Sequence, residues 1–279
     1  MGSCAKIVCG VRVSPFHDNF GYNDKVNPNG LLSLVRDTLE ETVHHSGTVT
    51  RYRSPVMAHL RADHPNFANL RNVVHAQYDA PQDVLGGAKS VVAFFLPFAA
   101  DIVTANAQHY VEVDEKWARA YVETNRLLMR VKEAIKTAVA EVGVQAEGRP
   151  PTGCIDPQTI TVPWSHESVA VATGLGSLGL HQMVITDAGC AGRFGSIVLD
   201  ADLPPREPQH KERCRYLYNG TCRACVRLCP VGALHVTGGL NKERCWRRCK
   251  TNALRFQAMG EVEVCGKCAV GPCALQSSV

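Results

Sequence analysis

The chain has 279 residues, 45% of them hydrophobic, and a formal net charge of +4 at pH 7. This length and apolar content allow a buried core and exclude a disordered chain, and the absence of an eighteen-residue apolar run argues against a membrane span. The first residues, MGSCAKIVCG, lack the charged and then apolar layout of a secretory signal. We therefore expect a globular protein of the cytoplasm.

Residues 1–205 show the patterns of a mixed α and β domain. Short β-branched and aromatic runs predict four strands, at residues 6–13, 90–98, 183–186 and 196–203. Apolar residues at helical spacing predict two helices, at residues 31–45 and 113–143. Three prolines in residues 203–212 indicate a linker to a smaller second domain, residues 206–279. The predicted fold class is α+β.

Residues 174–179, GLGSLG, fit the glycine pattern of dinucleotide-binding sites. Such a site requires a strand before the glycines and a helix after them. Here Ser165 is placed to cap a helix before the glycines, and a strand is predicted after them. A dinucleotide site is therefore disfavoured. The glycines are expected to form a helix-to-strand turn or to allow close approach to a planar ligand.

Cysteines and positive charges are concentrated at the end of the chain. Nine of the 13 cysteines lie in residues 206–279, where 13 Lys and Arg against 5 Asp and Glu give a net charge of +8. This clustering favours metal ligation over disulfides, and with it a reducing, oxygen-poor compartment. The cations would stabilise thiolate-ligated clusters, and would also attract an acidic electron donor such as a ferredoxin or flavodoxin. Nucleic acid is not an expected partner, because the basic residues alternate with cysteines rather than with exposed aromatics.

The segment CRACVRLCP contains the last three cysteines and the proline of the bacterial iron–sulfur pattern C-x2-C-x2-C-x3-C-P. These cysteines are Cys222, Cys225 and Cys229. The position of the first cysteine in the pattern is occupied by Asn219. The pattern therefore predicts an iron–sulfur site in which one ligand comes from elsewhere in the chain.

A second cysteine run, EVCGKCAVGPC, contributes Cys265, Cys268 and Cys273. Between the two runs lie Cys245 and Cys249, whose spacing of four places them on one face of a helix. Two [4Fe–4S] clusters need eight cysteine ligands, and nine cysteines are available.

The GLGSLG segment, the C-P run, a single cysteine sixteen residues later and a final C-x2-C together resemble the epoxyqueuosine reductase and reductive dehalogenase superfamily. Its members join a cobalamin-binding, nitroreductase-like domain to a ferredoxin-like domain with two [4Fe–4S] clusters. The resemblance covers roughly residues 80–275. It implies that electrons pass through the clusters to cobalamin for reductive chemistry on a small-molecule substrate. It also places part of the glycine segment against the corrin ring, namely Gly174, Leu175, Gly176 and Gly179.

By position, the resemblance implies one cluster bound by Cys229, Cys245, Cys265 and Cys268. It implies a second cluster bound by Cys222, Cys225 and Cys273, with Cys214, five residues before Asn219, as the substitute fourth ligand. The alternatives are Cys249 as that ligand, or a [3Fe–4S] cluster without one. The other cysteines are expected to be buried hydrophobic residues, with Cys154 close to the cofactor-facing segment; they are Cys4, Cys9, Cys154 and Cys190.

The chain departs from the epoxyqueuosine reductases at the proton donor. Those enzymes carry an aspartate in a D-S-A-P-like segment, where this chain has Ile160. Nearby groups able to transfer a proton are Asp156, His166 and Glu167, although the last two also fit an ordinary helix start. The tyrosine and basic partner used by reductive dehalogenases cannot be assigned from sequence. Two alternatives therefore remain open: an electron-transfer or corrinoid-handling protein without its own substrate chemistry, and a flavin-binding nitroreductase-like protein.

Overall fold

The computed structural model describes residues 27–153, 155–260 and 262–279. The strand predicted at residues 6–13 lies outside these ranges, as do Cys4, Cys9 and Cys154. The helices of the described chain are α1 (Pro28–His44), α2 (Pro65–Val73), α3 (Pro81–Val84), α4 (Ala100–Ala107), α5 (Glu115–Ala140), α6 (His166–Ala172), α7 (Arg215–Asn219), α8 (Ala224–Leu228) and α9 (Lys242–Arg255). The strands are β1 (Val56–Arg61), β2 (Ser90–Pro97), β3 (Ala146–Glu147), β4 (Gly176–Leu178), β5 (Val184–Thr186), β6 (Gly192–Leu199), β7 (Leu234–His235) and β8 (Gly239–Leu240). Two short 3₁₀ helices span Gln257–Met259 and Lys267–Val270.

The main sheet has the order β1-β2-β6-β3 and is antiparallel throughout. All eight residues of its central strand β2 are buried, because both faces of the sheet are covered. Ala93 and Phe95 enter the core beneath α2 and α6, whereas Phe94 and Leu96 enter the core beneath α1 and α5. This alternation follows from the two-residue period of a strand. The result is a sheet between two helical layers.

A third core joins the cysteine-rich end of the chain to the sheet domain. Phe98 and Trp117, from the first part of the chain, share this core with Cys214, Cys225 and Phe256. The proline-rich segment that connects the two parts contains no helix or strand among its described residues, as the sequence predicts. The division into domains 1–205 and 206–279 stays a prediction, since residues from both sides share this core.

The elements with the strongest periodicity lie where they are predicted. Helices α1 and α5 and strand β2 match the predicted segments to within a few residues, while β6 begins at Gly192, four residues before the predicted strand. The Ser165 hydroxyl accepts a hydrogen bond from the Ser168 N–H and caps α6, and β5 follows the GLGSLG turn. The helix-to-strand order that disfavours a dinucleotide site is therefore present. None of the described helices combines the length and apolarity needed to cross a bilayer.

Candidate metal and cofactor site

One group of cysteines surrounds a cavity of about 330 Å³. Cys229 ends α8, Cys245 lies on α9, and Cys265 and Cys268 lie in the loop and 3₁₀ helix near the end of the chain. Cys249, one turn after Cys245 on α9, lines the same cavity. The four predicted ligands of the first cluster are therefore brought together, with a fifth cysteine beside them.

The Cys245 and Cys249 thiols form a hydrogen bond, which lowers the pKa of Cys245 to about 7 and, together with burial, raises the pKa of Cys249. The thiols of Cys265 and Cys268 also raise the pKa of Cys249, because like charges at short range oppose ionisation. These contacts place Cys249 with the first group of cysteines.

Gly266 positions the C-x2-C loop of this group. Its φ of 68° lies in the left-handed region, which a glycine adopts without steric cost. A Cβ at this position would lie 2.3 Å from the Trp117 indole. The loop can therefore pass directly against Trp117, with Cys265 on one side of the glycine and Cys268 following it.

A second group consists of Cys214, Cys222, Cys225 and Cys273. Burial and, to a lesser degree, electrostatic repulsion from the thiols of Cys273, Cys214 and Cys222 together raise the pKa of Cys225 to about 11. The Cys214 thiol is buried at the N-cap of α7 and accepts the N–H of Leu180 at 3.5 Å. Cys214 thus lies with Cys222, Cys225 and Cys273, the set in which Asn219 stands where the pattern has its first cysteine. Cys249 lies with the other group. This placement favours Cys214 over Cys249, and the assignment of ligands stays a prediction.

Two residues that were not predicted at a cluster site, His181 and Cys190, adjoin Cys273. Its Sγ lies 3.4 Å from the Nε2 of His181 and 3.8 Å from the Sγ of Cys190. The Met183 N–H donates to His181 Nδ1 at 3.1 Å, so the neutral ring carries its proton on Nε2 and donates it toward the sulfur. Cys190 is buried, as expected, but its sulfur also contacts Cys273, a predicted cluster ligand. His181 lies between β4 and β5 and Cys190 between β5 and β6, and such lone residues leave no spacing pattern from which a role could be recognised.

The three candidate acids occupy different environments. The His166 ring is buried, with its Nδ1 2.7 Å from Ser196 Oγ and its Nε2 2.9 Å from the Pro150 carbonyl oxygen. Burial lowers its pKa to about 4. Its ring nitrogens are therefore both occupied in the core. Asp156 is exposed and accepts the Gln158 N–H in a turn, and this bond lowers its pKa. His166 lines a cavity of about 250 Å³, but both of its ring nitrogens are already hydrogen-bonded, and Asp156 lines neither this cavity nor the one of about 330 Å³.

Glu167 lines the 330 Å³ cavity, and burial raises the pKa of its carboxyl while Arg193 and His181 oppose that shift. The Arg193 guanidinium stacks 4.4 Å from the ring centroid of Tyr121, which lines the same cavity. A carboxyl, a phenol and a cation therefore meet in one space. Sequence reasoning missed the tyrosine and arginine pair because its members lie on α5 and β6, far apart along the chain.

The 330 Å³ cavity adjoins two others. Glu167 and Arg193 also line a neighbouring cavity of about 250 Å³, and Tyr121 also lines one of about 750 Å³. The 750 Å³ cavity is lined by Asn125 and Trp246, whose buried Oδ1 and Nε1 atoms have no hydrogen-bond partner. Buried polar groups normally have partners, so these two atoms are exceptions.

The predicted cofactor-binding glycines pack against protein. A Cβ at Gly176 would lie 2.4 Å from a methyl of Val184 and 2.6 Å from the Ile185 carbonyl, so the close approach is to the paired strand β5. Gly174, at a φ of 71°, lies against the segment after β6, and it lines with Leu175 a separate cavity of about 260 Å³. Corrinoid binding by this segment stays a prediction, while the turn and close packing account for its glycines.

No protein-family model matches the chain. Over 168 residues it is 25% identical to epoxyqueuosine reductase from Bacillus anthracis, an alignment covering 59% of this chain and 41% of that protein. Over 90 residues it is 29% identical to epoxyqueuosine reductase from Francisella cf. novicida (strain Fx1), covering 31% and 24%. The chain therefore matches less than half the length of these curated relatives.

Solved structures give the same result at the level of the fold. Epoxyqueuosine reductase from Bacillus subtilis superposes with a TM-score of 0.54 at 17% identity, over 88% of this chain and 66% of that one. A catabolic reductive dehalogenase superposes with a TM-score of 0.56 at 14% identity, over 92% and 34%. This chain has the fold of the epoxyqueuosine reductases and the reductive dehalogenases. The predicted α+β class and the resemblance inferred from the motifs are confirmed, and the ferredoxin-like nature of residues 206–279 stays a prediction.

One structure with this fold is an epoxyqueuosine reductase with a tRNA stem loop, with a TM-score of 0.54 at 18% identity over 88% of this chain and 66% of that one. The expectation that nucleic acid is not a partner therefore loses its support. It rested on the order of basic residues along the chain, and that order does not show which of them meet on the folded surface.

Proposed function

We propose that this chain is a reductase in which two [4Fe–4S] clusters deliver single electrons to a bound cobalamin. The observation that carries the proposal is a cavity lined both by the first cysteine group and by an acid, Glu167. The second group adjoins this cavity through Cys190, which lines it and contacts Cys273. One of the structures with this fold is a reductive dehalogenase described in terms of B12-dependent dehalogenation. We assign cobalamin binding to residues 1–205, the clusters to residues 206–279, and the protein to the cytoplasm.

The donor sets fit two clusters. The first would be held by Cys229, Cys245, Cys265 and Cys268, and the second by Cys214, Cys222, Cys225 and Cys273. Thiolates are the ligands that iron–sulfur clusters require, and each set supplies the four that a [4Fe–4S] cluster takes. The net charge of +8 in residues 206–279 offsets the negative charge of the two clusters and attracts an acidic donor such as a ferredoxin or flavodoxin.

The neighbouring cavities that share Glu167, Arg193 and Tyr121 are where the cobalamin would bind. Asn125 and Trp246 line one of them, and each has a buried atom without a hydrogen-bond partner, one an acceptor and one a donor. When bound, cobalamin would supply a strongly reducing metal centre, and the protein would supply its orientation and access. Trp117, which lies against Gly266, and Tyr121, which stacks with Arg193, line the same 330 Å³ cavity as the first cysteine group.

Glu167 would donate the proton that accompanies reduction of the substrate. Its carboxyl takes over the task of the aspartate that Ile160 replaces, and its raised pKa keeps more of it protonated near neutral pH than an exposed glutamate would be. Arg193, held on the Tyr121 ring, is placed to bind an anionic group of the substrate beside it. A protonable group in the cavity favours a reductase with its own substrate chemistry over a pure electron carrier.

Cobalamin should raise the melting temperature of the anaerobic, cluster-loaded protein, because a ligand that binds only the native state stabilises it by mass action. At a cobalamin concentration one hundred times the dissociation constant, the stabilisation would be about 2.7 kcal/mol. Differential scanning fluorimetry with cobalamin and with flavin mononucleotide measures this. A shift with flavin alone would favour the nitroreductase-like alternative, and no shift with either would favour the electron carrier.

A further inference from the structure

Lys267 lies between two predicted ligands of the first cluster, Cys265 and Cys268, and its exposure is only 2%. Lysine is almost never fully buried without a compensating partner. In the described part of the chain, the lysines that form ion pairs with acidic residues lie nearer the surface, and Lys267 is not among them. The buried side chain of Lys267 therefore calls for a different explanation.

The contacts of Lys267 show that it is an ammonium ion. Its Nζ lies 2.5 Å from the Asn106 carbonyl, 3.0 Å from Asn106 Oδ1 and 2.7 Å from the His109 carbonyl. All three partners are acceptors. An ammonium has three N–H donors, whereas a neutral amine would direct a lone pair at one of these oxygens.

Asn106, near the C-terminal end of α4, connects this ammonium to the first cysteine group. Its side-chain amide donates to the Cys265 carbonyl at 3.2 Å while its own oxygens accept from Lys267. The C-terminal end of a helix carries partial negative charge, which favours a cation there. That partial charge falls short of a full counter-ion, and a buried cation without one is costly.

A thiolate-ligated cluster at the first site would supply negative charge beside Lys267, in addition to that of Asp114 and Glu112. Lys267 lines the 330 Å³ cavity together with the cysteines of the first group. At the second group, the buried Arg213 already pairs with Asp187 at 2.9 Å. The sulfur of Cys273 there contacts the ring of His181 instead of a lysine or arginine. The first group therefore has a buried lysine without an acidic ion-pair partner beside it, whereas the buried arginine beside the second group is already paired.

We propose that Lys267 is a positioning residue that raises the reduction potential of the cluster held by Cys229, Cys245, Cys265 and Cys268; this rests on the function proposed above. Reduction adds one negative charge to a cluster, and a fixed cation in a weakly polar interior stabilises that charge. An electron entering the chain is thereby held at the cluster that borders the cavity with Glu167.

Anaerobic redox titration followed by electron paramagnetic resonance tests the proposal on Lys267→Met. The variant should keep the wild-type iron content, and at a fixed potential the ratio of reduced to oxidised first cluster should fall at least tenfold. For a one-electron couple, that is a shift of about 59 mV to more negative potential. The second cluster serves as the internal reference and should not shift.

Lys267→Gln keeps two N–H donors without the charge, and should shift the same cluster in the same direction. Lys242→Met, at an exposed position in the first turn of α9, is the matched control and should shift neither cluster, because water screens its charge. Wild-type potentials in fully loaded Lys267 variants, or loss of iron from both of them, would overturn the proposal. Absence of iron from the wild-type protein would instead refute the proposed function.

Discussion

Cys214→Ser is expected to remove one of two iron–sulfur clusters, so that anaerobically purified protein keeps about four of about eight irons per chain. The Cys214 thiol is buried with the other three cysteines of the second group and is the predicted substitute for the thiol that Asn219 lacks. A serine hydroxyl is a poor substitute, because iron–sulfur clusters are held by thiolates. Iron and sulfide analysis with paramagnetic resonance measures the loss.

Cys249→Ser is the matched control, and both clusters should survive it. Cys249 lies on α9 with the first group, which already contains four other cysteines. Loss of a cluster in Cys249→Ser with full iron in Cys214→Ser would contradict the assignment. A three-iron signal in the wild-type protein that Cys214→Ser leaves unchanged would identify the second site as a [3Fe–4S] cluster.

Glu167→Gln is expected to slow reductive turnover by about 10²- to 10⁴-fold, the usual contribution of a positioned general acid. Iron content and the cobalamin-dependent melting shift should stay at their wild-type values, since the amide is similar in size and shape to the carboxyl. Suitable probes are those bound in structures with this fold, a brominated hydroxybenzoate and an epoxyqueuosine tRNA stem loop. Single-turnover assays with each probe measure the rate.

The pH dependence provides a second test of Glu167. Its folded-state pKa is raised by burial, so the protonated acid is fully present below that pKa, and the rate should fall as the pH rises through it. In Glu167→Gln this fall in rate with rising pH should disappear. Asp156→Asn, at an exposed carboxyl outside the cavities that contain Glu167, should leave both rate and profile unchanged. A wild-type rate in Glu167→Gln with both probes would show that the proton comes from elsewhere.

The parts of the fold that sequence predicts well are those with a strong local signal. Helix α5 has an apolar stripe and β2 a dense β-branched and aromatic run, and both appear as predicted. The resemblance to the epoxyqueuosine reductase and reductive dehalogenase superfamily implied the two cysteine sets, and the cysteines of each set lie near one another in the structure. Strand β1, VMAHLR, escaped prediction because His59 and Arg61 interrupt its apolar pattern.

The parts that sequence could not supply depend on contacts between distant segments. His181 meets Cys273, Arg193 meets Tyr121, and Lys267 meets the end of α4, and in each case one ordinary residue of a helix or loop acquires its role only from its partner. The GLGSLG turn illustrates the same limit. Its sequence correctly predicts close approach, but whether to a ligand or to strand β5 is decided by tertiary packing.

The most direct test of the central claim is metal analysis of wild-type protein purified without oxygen. Two [4Fe–4S] clusters predict about eight irons and about eight sulfides per chain, with a paramagnetic signal from each cluster on reduction. About four irons per chain, or zinc in place of iron, would contradict the account.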